Sequence, residues 1–261
     1  ICTSAGSLLY AYIARLRKRE KARRSALESQ NKLLLLEQQA LQLQMNPHFI
    51  FNSLQSIQEF IFDKQAREAG KYLVKFSRLM RLFLESSKES FIFIQQEIEL
   101  LSLYIDLEIL RFPDKFDYQI DTGPHLDQYK TEIPSMLLQP FVENAIKHGL
   151  LPKEQAGFLH ISFDLNISGK EIICQIKDNG IGRQEAFSDS NPPHKSRGTQ
   201  LIEERRNMLN LLHGTNIRIE YEDITDGKGQ AEGTIVTIII PWDDAQSNSS
   251  HAERNHTDNH R

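Results

Sequence analysis

The stretch Ile176-Lys177-Asp178-Asn179-Gly180-Ile181-Gly182 ends a β-rich run, EIICQIK at 171–177, with an acid followed by a Gly-x-Gly turn. Two glycines in that spacing permit positive φ and let a ligand approach the backbone, and the Asp178 carboxylate can accept a hydrogen bond from an exocyclic amine such as adenine N6. Asp-Asn-Gly by itself also reads as a polar hairpin turn; the appended Ile181-Gly182 argues against that simpler reading.

Outward from this turn, β-rich runs recur at 116–121 (FDYQID), 158–166 (FLHISFDLN), 216–222 (NIRIEYE) and 234–240 (TIVTIII). Helical patterns at about 134–149 and 199–213 are interleaved with them, which predicts an α/β sandwich. Within the first of these helices, PFVENAIKHG (140–149), steps of three and four residues group Asn144, Lys147 and His148. An Asn carbonyl is a hard oxygen ligand that Mg²⁺ accepts beside nucleotide phosphates and water, and Lys147 supplies a point charge. Glu143, one position off that side, takes only a secondary role. The second helix opens in SRGTQLIEERRNML (196–209), where Gly198 and the amides after it, Thr199 first, form the kind of helix start that holds phosphate oxygens. The polar linker 183–197 between these motifs, with Pro192 and Pro193, reads as a mobile lid.

The N-terminal half is written in a helical period. Residues 25–45 contain no Gly or Pro and read as a helical, paired linker. In LQMNPHFIFNSLQSIQEFI (43–61), Ile50, Leu54, Ile57 and Ile61 form one apolar stripe, and His48, Asn52, Gln55 and Glu59 form a polar stripe nearly opposite. Asn46 and Pro47 either cap and open a new helix there or kink one that runs on from the linker. A second helix at about 66–88 points Leu73, Phe76, Met80, Phe83 and Leu84 inward and Lys71, Lys75, Arg78 and Arg81 outward, which predicts a helical hairpin. Phe49, Phe51, Phe60 and Phe62 flank the first helix and give it more apolar surface than one partner covers. A dimeric four-helix bundle would use that surface. A third helix, about 95–111, ends where Pro113 breaks it.

A net charge of −4 with 25% charged residues offers no basic field for a nucleic acid, so direct nucleic-acid binding is not expected. Cys2 and Cys174 share no motif spacing, which speaks against zinc and against a disulfide framework. The apolar opening ICTSAGSLLYAYIA (1–14) abuts RLRKREKARR (15–24), seven Lys/Arg against one Glu, in the order of a membrane helix and its cytoplasmic flank; a solvated helical face is the alternative.

Together, QMNPHFIFNSL, IPSMLLQPFVENAIKHGL and DNGIGR resemble the LytS-type sensor histidine kinases, whose catalytic half belongs to the GHKL (Bergerat-fold) ATP-binding superfamily. The resemblance covers about residues 40–242. It implies that His48 is the phosphoacceptor, that Asn144 binds Mg²⁺, that Asp178 reads adenine, that Gly180 and Gly182 shape the pocket and that Gly198 serves the phosphate lid. Lys147, His148 and Thr199 complete the nucleotide-binding set. The chain departs from the wider pattern twice. Arg197-Gly198-Thr199 offers one lid glycine, and Phe49 stands where many histidine kinases place an acid, leaving Asn52 to orient the ring.

The expected protein is α+β: the end of a membrane helix (1–14), a basic and coiled-coil linker (15–45), dimerisation and phosphoacceptor helices (46–112), a GHKL ATP-binding domain (113–242) and a disordered tail (243–261). Its expected function is that of a homodimeric sensor kinase at the inner (cytoplasmic) membrane with its kinase region in the cytoplasm. It would take a phosphoryl group from Mg²⁺-ATP onto His48 and pass it to the receiver domain of a response regulator, of LytTR type by resemblance. The alternatives are a dimeric signalling scaffold with a vestigial ATP site and a GHKL ATPase without phosphohistidine.

Overall fold

The computed structural model describes residues 15–21, 23, 47–62, 66–183, 203–204, 206–211, 214–227, 229 and 231–242. The apolar opening at 1–14, the linker at 25–45, most of the stretch 183–197, Gly198, Thr199 and the tail at 243–261 lie outside them.

Helix α1 (Pro47–Phe62) and helix α2 (Ala66–Ser86) form the expected hairpin, which packs on α3 (Ile94–Arg111). The buried seam of α1 differs from the expected one. Phe49, Ser53, Ser56 and Phe60 face inward, whereas Leu54 and Ile61, two members of the predicted apolar stripe, are exposed. Aromatic size decides the choice. The Phe49 ring lies 5.1 Å from that of Tyr104 and 6.3 Å from that of Phe76, and the Phe60 ring lies 5.9 Å from that of Tyr72. The two serines between them let the helices close. On α2 the inward residues are Ala69, Tyr72, Leu79, Phe83 and Ser86, so Leu73 and Leu84, expected inside, are corrected to the surface. Of the residues expected outside, Lys75 is half-buried and pairs with Asp106 of α3; Arg78 pairs with Glu99. Exposed ion pairs contribute about 0–1 kcal/mol each, against about 1.5–3 kcal/mol for burying one large apolar side chain, so ring packing holds the hairpin to α3.

The second half is a five-stranded mixed sheet in the order β2-β4-β5-β7-β6, where β2 is Phe116–Thr122, β4 Gly157–Leu165, β5 Glu171–Asp178, β6 Arg218–Thr225 and β7 Ala231–Pro241. Strands β2 and β4 pair in parallel; every other pair is antiparallel. One face is buried by alternation: Leu159, Ile161 and Phe163 on β4, Ile172, Cys174 and Ile176 on β5, Val236, Ile238 and Ile240 on β7. Against it pack the helical residues that follow Asn144, and α3 packs against β2. The α+β architecture expected from the sequence is the one observed.

Two short strands were not anticipated. β1 (Phe91–Phe93) and β3 (Glu132–Pro134) pair antiparallel, so the segment expected to be helical from residue 134 begins as a strand. The helix proper, α4, is Gln139–Asn144, and it continues as a π-helix over Ala145–Leu150. Among the described residues no helix is long and apolar enough to cross a membrane.

Candidate functional site

Asp178 is the last residue of β5, and the local sequence explains its burial. The Ile172, Cys174, Ile176 alternation places it on the core face, where it is 4% exposed. Its Oδ1 accepts the Gly180 N–H at 2.9 Å. Burial pushes the carboxyl up to about 6, against backbone hydrogen bonds from Gly180 and Thr234 and the charge of Lys153, which pull it back. A carboxylate held in so dry a place has an incentive to take a further donor.

The turn after Asp178 docks on the π-helix. The Ile181 N–H donates to the Gly149 carbonyl at 3.1 Å. A Cβ on Gly180 would lie 2.3 Å from the carbonyl carbon of Gly149, and one on Gly149 would lie 2.8 Å from Asp178 Oδ1. Gly182 adopts φ +75°. Two of these glycines are therefore required by close approach and one by backbone conformation. The turn is no hairpin: β5 pairs with β4 and β7 and does not fold back on the residues that follow it.

Asn144 ends α4 and is half-buried. After Asn144 the winding is π: Leu151 N–H reaches the Ile146 carbonyl at 2.9 Å, an i to i+5 bond. His148 is exposed, whereas Lys147 is half-buried and ion-pairs with Glu143. Glu143 thus has a larger part than sequence spacing gave it, as the counter-charge of Lys147. Glu108 of α3 is buried close by; burial raises its carboxyl, and the charges of Arg111 and Lys147 oppose that rise.

Asn179 braces the site from below. Its Oδ1 accepts the Phe158 N–H at 2.7 Å and its carbonyl accepts Lys153 Nζ at 2.6 Å. Gly233 closes it from β7, where a Cβ would lie 2.0 Å from the Asp178 carbonyl. Sequence reasoning missed Gly149 and Gly233. Gly149 was visible inside the Lys-His-Gly run; nothing local marked Gly233. Gly198 and Thr199 lie outside the described residues. The backbone of His48 is in the first turn of α1, and Asn52, one turn on, is half-buried.

Among the described residues no group of three or more His, Cys, Asp or Glu side chains could hold a metal ion.

The structure thus sets a buried carboxylate and a glycine-tight turn against the helix that carries Asn144, and links that half through α3 to a hairpin with His48 in its first turn. Residues 36–116 match the histidine kinase family. The Sensor protein LytS of Streptococcus mutans is 35% identical over 227 residues, 82% of this chain and 36% of that protein. The Sensor histidine kinase/phosphatase LytS of Staphylococcus aureus strain MRSA252 is 28% identical over 222 residues, 83% of this chain and 36% of that protein. The solved catalytic domain of histidine kinase ThkA is 13% identical, with 58% of this chain and 93% of that chain covered and a TM-score of 0.40. The chain is therefore similar to the histidine kinase family over residues 36–116 and to LytS sensor proteins over most of its length. It spans about a third of the length of the curated relatives it matches.

Proposed function

We propose that this chain is the kinase part of a two-component sensor: it binds Mg²⁺-ATP at Asp178, Gly180, Gly182 and Asn144, autophosphorylates His48 and passes the phosphoryl group to an aspartate on a response regulator of LytTR type. The observation that carries the reading is Asp178, a buried carboxylate at the end of β5 whose surroundings favour one more hydrogen-bond donor such as an adenine amine.

Asp178 would fix the base, and the amides and close packing of the Gly180–Gly182 turn would admit it. Asn144 would hold Mg²⁺, which offsets charge on the phosphates. Lys147 would leave Glu143 for a phosphate oxygen, with Gly198, Thr199 and His148 completing that end. A histidine imidazole is largely neutral at cytoplasmic pH, so a ring nitrogen of His48 has a lone pair for the γ-phosphorus. An N–P bond forms as the bond to the β,γ-bridging oxygen breaks, and ADP leaves. In-line placement and charge neutralisation supply the acceleration. Asn52, a turn further along α1, would orient the ring.

The active unit would be a homodimer. Leu54, Ile61, Leu73, Val74 and Leu84 leave the hairpin with an uncovered apolar face; Val74 is 69% and Ile61 60% exposed. A second copy of the same hairpin has the complementary surface. The N-terminal segment would hold this dimer at the inner membrane, with the kinase in the cytoplasm.

Wild type and His48→Gln, each incubated with γ-labelled ATP and Mg²⁺, test the reading. Label that is acid-labile, alkali-stable and confined to wild type is the expected result. Nucleotide binding without label in either protein would replace the kinase with a scaffold or an ATPase.

A further inference from the structure

Glu97 has a part that neither the nucleotide motifs nor the acceptor helix accounts for. It lies in the first turn of α3, a place where acids are normally solvated, yet it is 1% exposed. Its Oε2 accepts the Met136 N–H at 3.0 Å and its Oε1 the Leu138 N–H at 3.1 Å. Met136 adopts φ +55°, a left-handed conformation that few non-glycine residues take. Leu138 is the residue from which α4 starts, and it makes no side-chain capping bond. The carboxylate of another helix thus does the work that a local cap would do.

The same loop is tied to the hairpin. Ser135 Oγ donates to the carbonyl of Ser86, the last residue of α2, at 2.7 Å, and the Ser135 N–H donates to the Ser90 carbonyl at 3.1 Å. Residues 135–138 are therefore tied by hydrogen bonds to α3, to the end of α2 and to Ser90. α4 is six residues long, about 9 Å at 1.5 Å per residue, so a shift at Leu138 reaches Asn144 with little loss.

We propose that Glu97 is a positioning residue of the nucleotide site: by clamping the amides of Met136 and Leu138 it sets where α4 begins, and through α4 it sets the placement of Asn144 and Gly149. Movement of the hairpin would reach the nucleotide by this clamp. The inference rests on the ATP reading above.

The test is titration of the whole chain with a fluorescent ATP analogue and Mg²⁺, with a thermal melt of each protein alongside. Glu97→Gln keeps the shape but offers an N–H to one of the two amides. It should weaken analogue binding about tenfold, the scale of a lost charge-assisted hydrogen bond. Ser135→Ala, which removes only the tie to Ser86, should weaken it about threefold, the scale of a neutral hydrogen bond. In both variants the KM for ATP should rise more than kcat falls. Glu97→Gln that melts lower but binds the analogue as wild type does would overturn the proposal and leave Glu97 a purely structural residue. If Glu97→Gln does not fold, unchanged binding by Ser135→Ala overturns it equally. A wild-type protein that binds no analogue would overturn the ATP reading and this proposal together.

Discussion

The sheet half and the hairpin half solve burial in opposite ways. Around Asp178 the chain satisfies itself: glycine stands wherever a side chain would strike backbone or carboxylate, and strands from three parts of the sequence meet in register at Leu159, Asp178 and Thr234. The hairpin instead hides one stripe of α1 against α3 and leaves a second uncovered, with Phe62 81% exposed. On the proposed reading, the first half would hold a small ligand within one chain, and the second would present α1 to protein partners through the surface it leaves open.

The largest expected effect probes the sheet half. Asp178→Asn should lower affinity for Mg²⁺-ATP at pH 7.5 by on the order of 10- to 100-fold by calorimetry, the range for a hydrogen bond to a charged acceptor. The nucleotide-free protein should gain stability from the same change. The Asp178 carboxyl is raised from 3.8 in the unfolded chain to about 6 in the folded one, so the folded state binds more protons between those values and stability falls as pH climbs through them. Above pH 6 the full cost, about 3 kcal/mol at most, is in place, and the asparagine removes it. Melting temperatures of the two proteins should therefore converge near pH 4. ATP affinity of the wild type should fall as pH drops below 6. A variant that binds ATP normally at pH 7.5 would sink the adenine role of Asp178.

Next in size is a charge on the hairpin's open face. Leu54→Glu puts an unpaired carboxylate where a second copy would dry it, and should weaken the dimer at least about tenfold by sedimentation equilibrium. Its ATP affinity should stay within about twofold, because binding differences follow contacts and Leu54 has none with the pocket. Loss of ATP binding together with the dimer would show that the two halves are not separable as described.

The smallest effect is expected at the edge of the turn. Arg183 follows Gly182 and donates from Nε and Nη2 to the two oxygens of Asp223 at 2.7 and 2.9 Å, with its guanidinium 5.1 Å over the Tyr221 ring. Arg183→Ala should weaken ATP about threefold while the melting temperature barely moves, since a half-exposed pair is worth about 1 kcal/mol or less. A Lys at 183 cannot make the fork and should recover only part of the loss.

Much of this was legible from residue order. Alternation along 171–177 marked a strand buried on one face, and it is β5; Pro113 marked the end of the third helix, and α3 stops at Arg111. Asp178, Gly180 and Gly182 form the turn that their spacing suggested. These are local matters, fixed by period, backbone freedom and a missing N–H. Other features had no local mark. Strand β3 forms by pairing with β1, whose Ile92 lies 41 residues from its partner Ile133 in sequence, and the π turn after Asn144 packs on the sheet.

The sequence by itself determined that α1 carries more apolar surface than one partner covers. Only the tertiary structure decided which stripe goes inside, because periodicity reports that a face is apolar and not which aromatic ring awaits it; Tyr104 and Phe76 chose Phe49. In the same way the sequence showed an acid at 97, and the fold alone brought it to the amides of Met136 and Leu138, since a hydrogen bond across 41 residues depends on packing that no window of sequence contains.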